Sequence, residues 1–439
     1  MTRTIENHIE QWVIEELQTK GYDFLSPEYL DPDSANSLRE NYNDVIIKSH
    51  LLEALVKINP KLSTTSLQQA IRDVQHVNNH GDLVACNQYF QKLLTEGIDI
   101  TYLNKGEDRT VKAWLVDKQN PKNNKWVVTH QLTVIENGQN KRPDIIIYLN
   151  GIPVVVFELK NATDSTATVG KAYQQLQTYH KSIPSLFCYN LLEVISDGLE
   201  AKVGTITSDI SRFMSWKTAD GKSLANKTTS ELAVMMNGLF NINTLLDLCL
   251  NFIVFEKFTT EDTLTKTLKV GVVKKVAAYH QYYAVKKAVI SVMDASDAGG
   301  NKKGGVVWHT QGSGKSLSMV FFTGLLVQQL NNPTIIVITD RNDLDDQLFD
   351  TFANCNQLLR QTPIQIDSRS NLIKELKNRQ SGGIFFTTIQ KFLPEEGSTQ
   401  YDQLSDRRNI IVVADEAHRT QYGFEAKIRY VKDLSLIHI

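Results

Sequence analysis

The sequence predicts an α/β chain with two units of different architecture, a mixed-sheet unit first and a parallel-sheet unit second. Three observations carry this. Up to about residue 250, one helical stretch, several strands, a second helix and further strands follow one another. Beyond residue 268, short Val/Ile-rich runs alternate with helical stretches, as in a sheet covered on both faces. Between them lies a polar, lysine-bearing stretch, "EKFTTEDTLTKTLKVGVVKK". The 439 residues leave room for two or three domains.

The elements follow in order. Ile5, Ile9, Trp12, Val13 and Leu17 recur at helical spacing and predict a first helix over residues 5–19. "GIDITYL", "TVKAWLVD", "NKWVVTHQLTVI" and "RPDIIIYLNGIPVVVFELK" read as strands. "TVGKAYQQLQTYHKSI" reads as a helix, and "LFCYNLLEVISDG" and "KVGTITS" as further strands. Residues 230–255 form a helical extension that completes a first domain, 1–255. A linker is expected at 256–268 and a second domain at 269–439. In that domain "GGVVWH", "PTIIVITD", "GGIFFTTI" and "NIIVVAD" are the strand candidates.

Composition narrows the class. The chain is 41% hydrophobic and 22% charged, with net charge −2, so no global basic field advertises nucleic acid. Cys86, Cys188, Cys249 and Cys355 are scattered, without a C-x-x-C pair. That argues against a disulfide framework or zinc site and fits a reducing cytoplasm. No apolar run reaches about 18 residues, so no membrane span is expected.

The stretch from Arg142 to Lys160 sets apolar runs beside Asp144, Glu158 and Lys160. Buried strands avoid charge unless it is paired or holds a metal. Two carboxylates can hold Mg²⁺ through oxygen, and the cation can activate water and polarise a phosphate. Lys160 lies two residues beyond Glu158, hence on the same face. Register tests the idea. A plain two-residue turn at Asn150-Gly151 would set Asp144 against Phe157, facing away from Glu158. A three-residue loop, Leu149-Asn150-Gly151, pairs Asp144 with Val156 and leaves Glu158 a diagonal neighbour. The expectation is therefore the odd-length loop, or a bulge with the same effect.

After "GGVVWH" comes "TQGSGKSLSMVFFTGLL". Gly312, Ser313 and Gly314 let backbone N–H groups curl around phosphates. Lys315 can reach the β and γ phosphates, and Ser316 can ligate Mg²⁺. His309 stands where the full G-x-x-x-x-G-K-[ST] pattern wants glycine. The strand "NIIVVA" ends in "DEAH", with Asp415 placed to hold the Mg²⁺ water shell and Glu416 to orient water.

"TQGSGKS", "TDRNDLDDQL", "TTIQKF" and "DEAHRTQYGFEAKI" resemble motifs I, Ia, Ib and II of superfamily 2 helicases, and more narrowly the motor of type I restriction enzyme R subunits. The resemblance implies a restriction-endonuclease-like mixed-sheet domain followed by a RecA-like helicase lobe. It makes "YHQYYAVKKA" an adenine-reading segment, with Gln281 the reader. Thr339 to Arg341 and Thr387 to Gln390 become contacts to the DNA backbone. Pro143, Asp144, Glu158 and Lys160 match the P-D…(D/E)-x-K nuclease motif, and Gln175 and Tyr179 match the family's Q-x-x-x-Y. Glu10 is a further candidate acid near the metal, as in related nucleases.

The implied function is ATP-driven translocation along duplex DNA and its cleavage, with Mg²⁺ and ATP as cofactors. The implied partners are a specificity subunit and modification (methyltransferase) subunits. A stand-alone nuclease-helicase of DNA repair, or a non-catalytic nucleotide- or DNA-binding module, fits some of the same residues. A motif III and a second lobe are expected beyond "DEAHRTQYGFEAKIRYVKDL", and "LSLIHI" reads as an unnatural terminus. The chain is accordingly expected to bind Mg-ATP weakly and to hydrolyse it negligibly.

Overall fold

A computed structural model describes residues 2–104, 107–161, 169–261, 266–297, 299–339, 342–392, 403–415 and 435–438. The chain divides into two compact units, Met1–Leu250 with Val273–Tyr279, and Asn251–Val272 with His280–Ile439.

The first unit is built on a six-stranded mixed sheet. In spatial order its strands are Asp23–Phe24, Trp126–His130, Ile145–Leu149, Ile152–Leu159, Leu192–Ser196 and Ala201–Gly204. The outer Asp23–Phe24 strand runs parallel to its neighbour, and Leu192–Ser196 runs parallel to Ile152–Leu159. The other pairings are antiparallel. Both central strands are buried throughout, which is why the sequence there is nearly all Ile, Val and Leu. Each such side chain contributes about 1.5–3 kcal/mol on full burial.

The first helix runs Thr2–Thr19 and buries Glu10, Val13, Ile14 and Leu17. The second expected helix is Val169–Ser182, with Val169, Ala172, Leu176 and Tyr179 inward. Three more helices, Lys48–Ile58, Thr64–Gln75 and Leu83–Glu96, were not among the expected elements. The last two have ordinary side-chain caps: Ser63 accepts from the Ser66 N–H at 3.2 Å and Asp82 from the Ala85 N–H at 2.8 Å. "LFCYNLLEVISDG" is not one strand. Pro184 starts a short helix, Pro184–Phe187, and only Leu192–Ser196 is extended.

The expected loop of the central hairpin is corrected. Leu149 pairs with Ile152, so the turn has two residues. Asn150 and Gly151 are both left-handed, with φ of 52° and 79°, the conformation that Asn-Gly favours. Asn150 is fully buried and explains the choice. Its amide donates to the Leu115 carbonyl (2.8 Å) and Asn124 Oδ1 (2.9 Å) and accepts from the Lys125 N–H (2.7 Å). The bulge alternative is the one realised. Ile147 pairs with Val155 but Tyr148 with Pro153, leaving Val154 as the extra residue. Proline has no N–H for the ladder, and a bulge is where a sheet tolerates it. Ile145 then pairs with Phe157. One step further sets Asp144 against Glu158, one rung from the expected diagonal and on the same face.

In the stretch expected as a linker, 256–268, lies most of the strand Ile253–Glu261, which pairs with Leu268–Val276 in a separate ribbon. Residues 273–279 belong to the first unit. Lys274 is fully buried there. Its ammonium donates to the Asn190 carbonyl (2.7 Å), and its own carbonyl accepts from Thr205 and Thr207 at 2.8 and 2.9 Å. Burial pushes the ammonium pKa down to about 7.

The second unit holds a six-stranded sheet, parallel in every pairing. Its order is Lys303–Val306, Ser435–His438, Ile410–Ala414, Thr334–Thr339, Ile384–Thr388 and Ile364–Gln365. "GGVVWH" is shorter as a strand than expected, ending at Val306. Lys315–Gln329 is the helix after the glycine loop. Among the described residues no single helix is long and apolar enough to cross a membrane.

Candidate active site

In the first unit the sheet carries its charges to one end of the central hairpin. Asp144 immediately precedes the strand Ile145–Leu149, and Glu158 and Lys160 close its partner. Asp144 Oδ2 accepts from the Leu159 N–H at 2.6 Å, which ties the two strand ends together. Glu158 is 2% exposed. Its Oε1 accepts from the Lys160 ammonium at 2.5 Å, and the same ammonium donates to the Leu159 carbonyl at 2.9 Å. The second Glu158 oxygen is buried without a hydrogen-bond partner.

The electrostatics follow from burial. Glu158 is pushed up to about 8 by loss of solvent and by the Asp144 carboxylate, against the pull of Lys160. Asp144 is pushed up to about 6, again chiefly by burial, while the Leu159 N–H and Lys160 oppose the rise. Charge is costly on both acids while they share the site only with Lys160.

Tyr179 stands over this pair from the helix Val169–Ser182. Its hydroxyl donates to the Arg142 carbonyl (3.2 Å) and lies close enough to Glu158 to favour the charged carboxylate. Gln175, one turn earlier, hydrogen-bonds Tyr179. Asp144, Glu158, Lys160, Gln175 and Tyr179 are therefore brought together.

Glu10 joins them from the first helix, buried at 5% exposure. Two residues that the sequence reading passed over hold it. Gln131 Nε2 donates to Glu10 Oε1 at 2.8 Å and to Asp144 Oδ1 at 3.1 Å, and His130 Nδ1 lies 3.3 Å from Glu10 Oε2. The available signal was slight: a polar His-Gln pair directly after the apolar run "WVVT".

Among the described residues no group of three or more His, Cys, Asp and Glu is arranged to hold a metal by itself. Asp144 and Glu158 nevertheless suit a hard divalent cation. They are oxygen donors, both raised in pKa, and one oxygen is orphaned. Mg²⁺ commonly takes one or two carboxylates and leaves its other positions to water and phosphate.

The second unit gathers its candidates at the carboxyl ends of the parallel strands, where such sheets bind ligands. Gly312 and Gly314 both have φ of 79°, and Gly314 caps the helix Lys315–Gln329. Ser313 lies between the two glycines, and Lys315 and Ser316 open the helix. Gln281, 4% exposed, donates from Nε2 to the Gly314 carbonyl at 3.0 Å. His280 Nε2 meets the Ser313 carbonyl at 3.1 Å. The residue expected to read adenine thus braces the glycine loop. His309, at the missing-glycine position, packs edge-on against His280 with ring centroids 5.5 Å apart.

Asp415 follows the strand Ile410–Ala414, its N–H donating to the Ile338 carbonyl at 2.9 Å. Thr339 pairs with Thr388, and the Thr339 and Thr387 hydroxyls are buried without partners at these strand ends. Glu416 and Arg341 lie outside the described residues.

Comparison with known proteins gives the family of each unit. Residues 4–212 match the family model of the type I restriction enzyme R protein N terminus, and residues 280–435 match that of the SWI2/SNF2 ATPase. The chain is 42% identical to the type I restriction enzyme HindI endonuclease subunit of Haemophilus influenzae, over 96% of this chain and 40% of that protein. It is 33% identical to the provisionally named type I restriction enzyme MjaIXP endonuclease subunit of Methanocaldococcus jannaschii, over 94% of this chain and 40% of that one. The SauMSSORF170P endonuclease subunit of Staphylococcus aureus is 26% identical over 73% of this chain and 32% of its own length. The chain thus spans about two-fifths of the length of the Haemophilus influenzae and Methanocaldococcus jannaschii relatives. Through the nuclease-type unit and the ATPase-type unit alike, this chain belongs to the endonuclease-subunit family of type I restriction enzymes.

Proposed function

We propose that the chain carries the DNA-cleaving site and the first nucleotide-binding lobe of an ATP-dependent type I restriction endonuclease. The observation that supports this most is the buried Asp144–Glu158 pair beside Lys160, with one Glu158 oxygen unpartnered. A bound Mg²⁺ supplies Lewis-acid polarisation of a phosphodiester and a more acidic water. Asp144 and Glu158 hold that cation as carboxylates. Lys160 compensates their charge, then stabilises charge growing on the phosphate or positions the attacking water. Tyr179, ordered by Gln175, favours the charged form of Glu158 against the larger effect of burial and helps to hold it in place. The surrounding apolar strands exclude water and strengthen each of these interactions.

In the second unit, Gly312, Ser313 and Gly314 cradle the phosphates of ATP, with Lys315 on the β and γ phosphates and Gln281 on the adenine. Ser316 and Asp415 hold the accompanying Mg²⁺ and its water shell, and Glu416 orients the attacking water. Thr339 to Arg341 and Thr387 to Gln390 contact the backbone of duplex DNA, which requires no base readout. Sequence choice falls to the specificity subunit, in a cytoplasmic assembly that includes the modification subunits. The nuclease domain takes Met1–Leu250 with Val273–Tyr279, in place of the expected 1–255, and the motor lobe takes the other unit, in place of a start at 269.

The test is nicking of supercoiled plasmid by the purified chain in Mg²⁺ and in EDTA. Nicking is expected only with Mg²⁺, and Asp144→Asn and Glu158→Gln should each remove it. Cleavage that survives both substitutions would place the chemistry elsewhere.

A further inference from the structure

We propose that a cavity at the amino-terminal edge of the second unit's parallel sheet binds the phosphate group of a small solute between Arg379 and Arg407. This edge is opposite the carboxyl ends of the strands, where the nucleotide candidates gather, so the proposal stands apart from the nuclease and ATP readings.

The cavity has a volume of about 440 Å³. Its walls are the end of the helix Arg369–Asn378 and residues 403–407, which lead into the strand Ile410–Ala414. Both walls are fixed. Leu376 belongs to the buried cluster that also holds Ile410, and Leu404 packs against that cluster. Arg407 Nη1 donates to the Thr334 hydroxyl at 3.0 Å, and that hydroxyl donates to the Gly382 carbonyl at 2.7 Å. Arg379 Nη2 donates to Glu375 Oε2 at 2.9 Å, and its guanidinium lies over the Phe385 ring, 5.1 Å from the centroid. Each guanidinium is thus oriented by the protein itself.

Three donors are left over. Arg407 Nε and Nη2 and Arg379 Nε are buried without a hydrogen-bond partner. Buried polar groups are nearly always satisfied, so three such donors on two cationic side chains mark a place for an anion. Nε and Nη2 form one edge of a guanidinium, the edge that grips two oxygens of one group. Arg379 Nε adds a donor from a second side chain. A planar carboxylate is used up by one such edge, whereas a tetrahedral phosphate keeps a further oxygen for the third donor. The charges point the same way. Lys377, Arg379 and Arg407 line the cavity with one acid, Asp406, while Glu375 pairs with Arg379 from outside the lining. Burial, and then the neighbouring Arg379, hold the Arg407 guanidinium below its ordinary pKa, and an anion between the two relieves that repulsion. The volume exceeds the need of a bare ion and falls in the range of small-molecule sites, about 300–1,000 Å³. Gln380 and Gln403 offer amides to the rest of the solute.

The experiment is calorimetric titration of the 439-residue chain with inorganic phosphate, ribose 5-phosphate and acetate, in EDTA at pH 8. All proteins carry Lys315→Ala, so that phosphate held by the glycine loop does not contribute. Both phosphates are expected to bind, and acetate about tenfold more weakly. Arg407→Gln and Arg379→Gln should each weaken phosphate about tenfold or more. Arg407→Lys keeps the charge but loses the paired edge, and should not restore binding. Tighter binding of ribose 5-phosphate than of inorganic phosphate identifies an ester as the solute, and the reverse identifies the free ion; either result supports the site. Melting temperatures check folding, and Arg379→Gln carries the test if Arg407→Gln proves unstable. Unchanged phosphate affinity in a folded Arg379 or Arg407 variant overturns the proposal, as does failure of both phosphates to bind or a preference for acetate.

Discussion

Replacing Glu158 by glutamine should stabilise the first unit in alkaline, metal-free buffer although it removes a proposed catalytic group. The sign follows from the raised acid. Below pH 4.5 the carboxyl is protonated in both states and folding carries no penalty. As pH rises the unfolded chain releases its proton while the folded chain keeps it, so stability falls until about pH 8, where the folded acid ionises too. The interval is 8 − 4.5 = 3.5 pH units, which at about 1.4 kcal/mol each amounts to about 5 kcal/mol. Relaxation and water entry around the charge reduce this, and about 2–3 kcal/mol is the working expectation. Glutamine has no such dependence. The pull of Lys160 on the carboxylate is already contained in that raised value and is not counted again. For a unit of this size the gain corresponds to a melting shift on the order of 5–10 °C. Differential scanning calorimetry in EDTA at pH 5, 7 and 8.5 should show the variant gaining on wild type as pH rises. Mn²⁺ at pH 8.5 should then raise the wild type and leave the variant unmoved. A constant separation across the three pH values would refute the argument that an uncompensated buried charge resides on Glu158.

Further outcomes follow from other positions. Lys160→Ala in the complete enzyme should abolish DNA cleavage while ATP turnover survives, read by plasmid nicking beside phosphate release, because the residue serves only the first unit. Gly314→Ala should weaken binding of a fluorescent ATP analogue at least tenfold, since φ of 79° disfavours a side chain and the new Cβ would lie 2.7 Å from Gln281 Nε2. Gly151→Ala should cost the first unit about 1–3 kcal/mol in urea unfolding, because the left-handed turn and a Cβ 2.4 Å from the Ile47 carbonyl both oppose it.

The parts of this molecule legible in the sequence are those where local chemistry repeats a rule. Apolar runs at 145–159 and 410–414 could only be strands, and Gly312 with Gly314 ahead of Lys315 could only be a tight turn into a helix. Parity on the hairpin was legible too, because two acids proposed to share an ion must share a face. The means was not. The turn length is decided by Asn150, whose amide bonds reach residues 115, 124 and 125, contacts that no local pattern encodes. Gln131 escaped for the same reason, since its partners at 10 and 144 meet only in the folded sheet. The helices Thr64–Gln75 and Leu83–Glu96 were a different omission, since their serine and aspartate caps stood in plain view, whereas Ile47 ahead of Lys48–Ile58 offers no such cap.

Lys274 bears on how such proteins can be recombined. The chain leaves the first unit at Leu250, forms most of a ribbon, and returns for seven residues before Gln281. A genetic exchange that grafted a foreign motor at residue 250 would therefore also replace the buried lysine. The Thr205 and Thr207 hydroxyls bond the backbone carbonyl of residue 274 and the Asn190 carbonyl keeps the Asn87 amide, so the cost falls on the space the buried side chain fills, about 2–5 kcal/mol where a smaller residue leaves a cavity. Shuffling between relatives should therefore succeed at crossovers after Tyr279, where the first unit keeps its own residues 273–279, and fail at the apparent seam twenty-odd residues earlier.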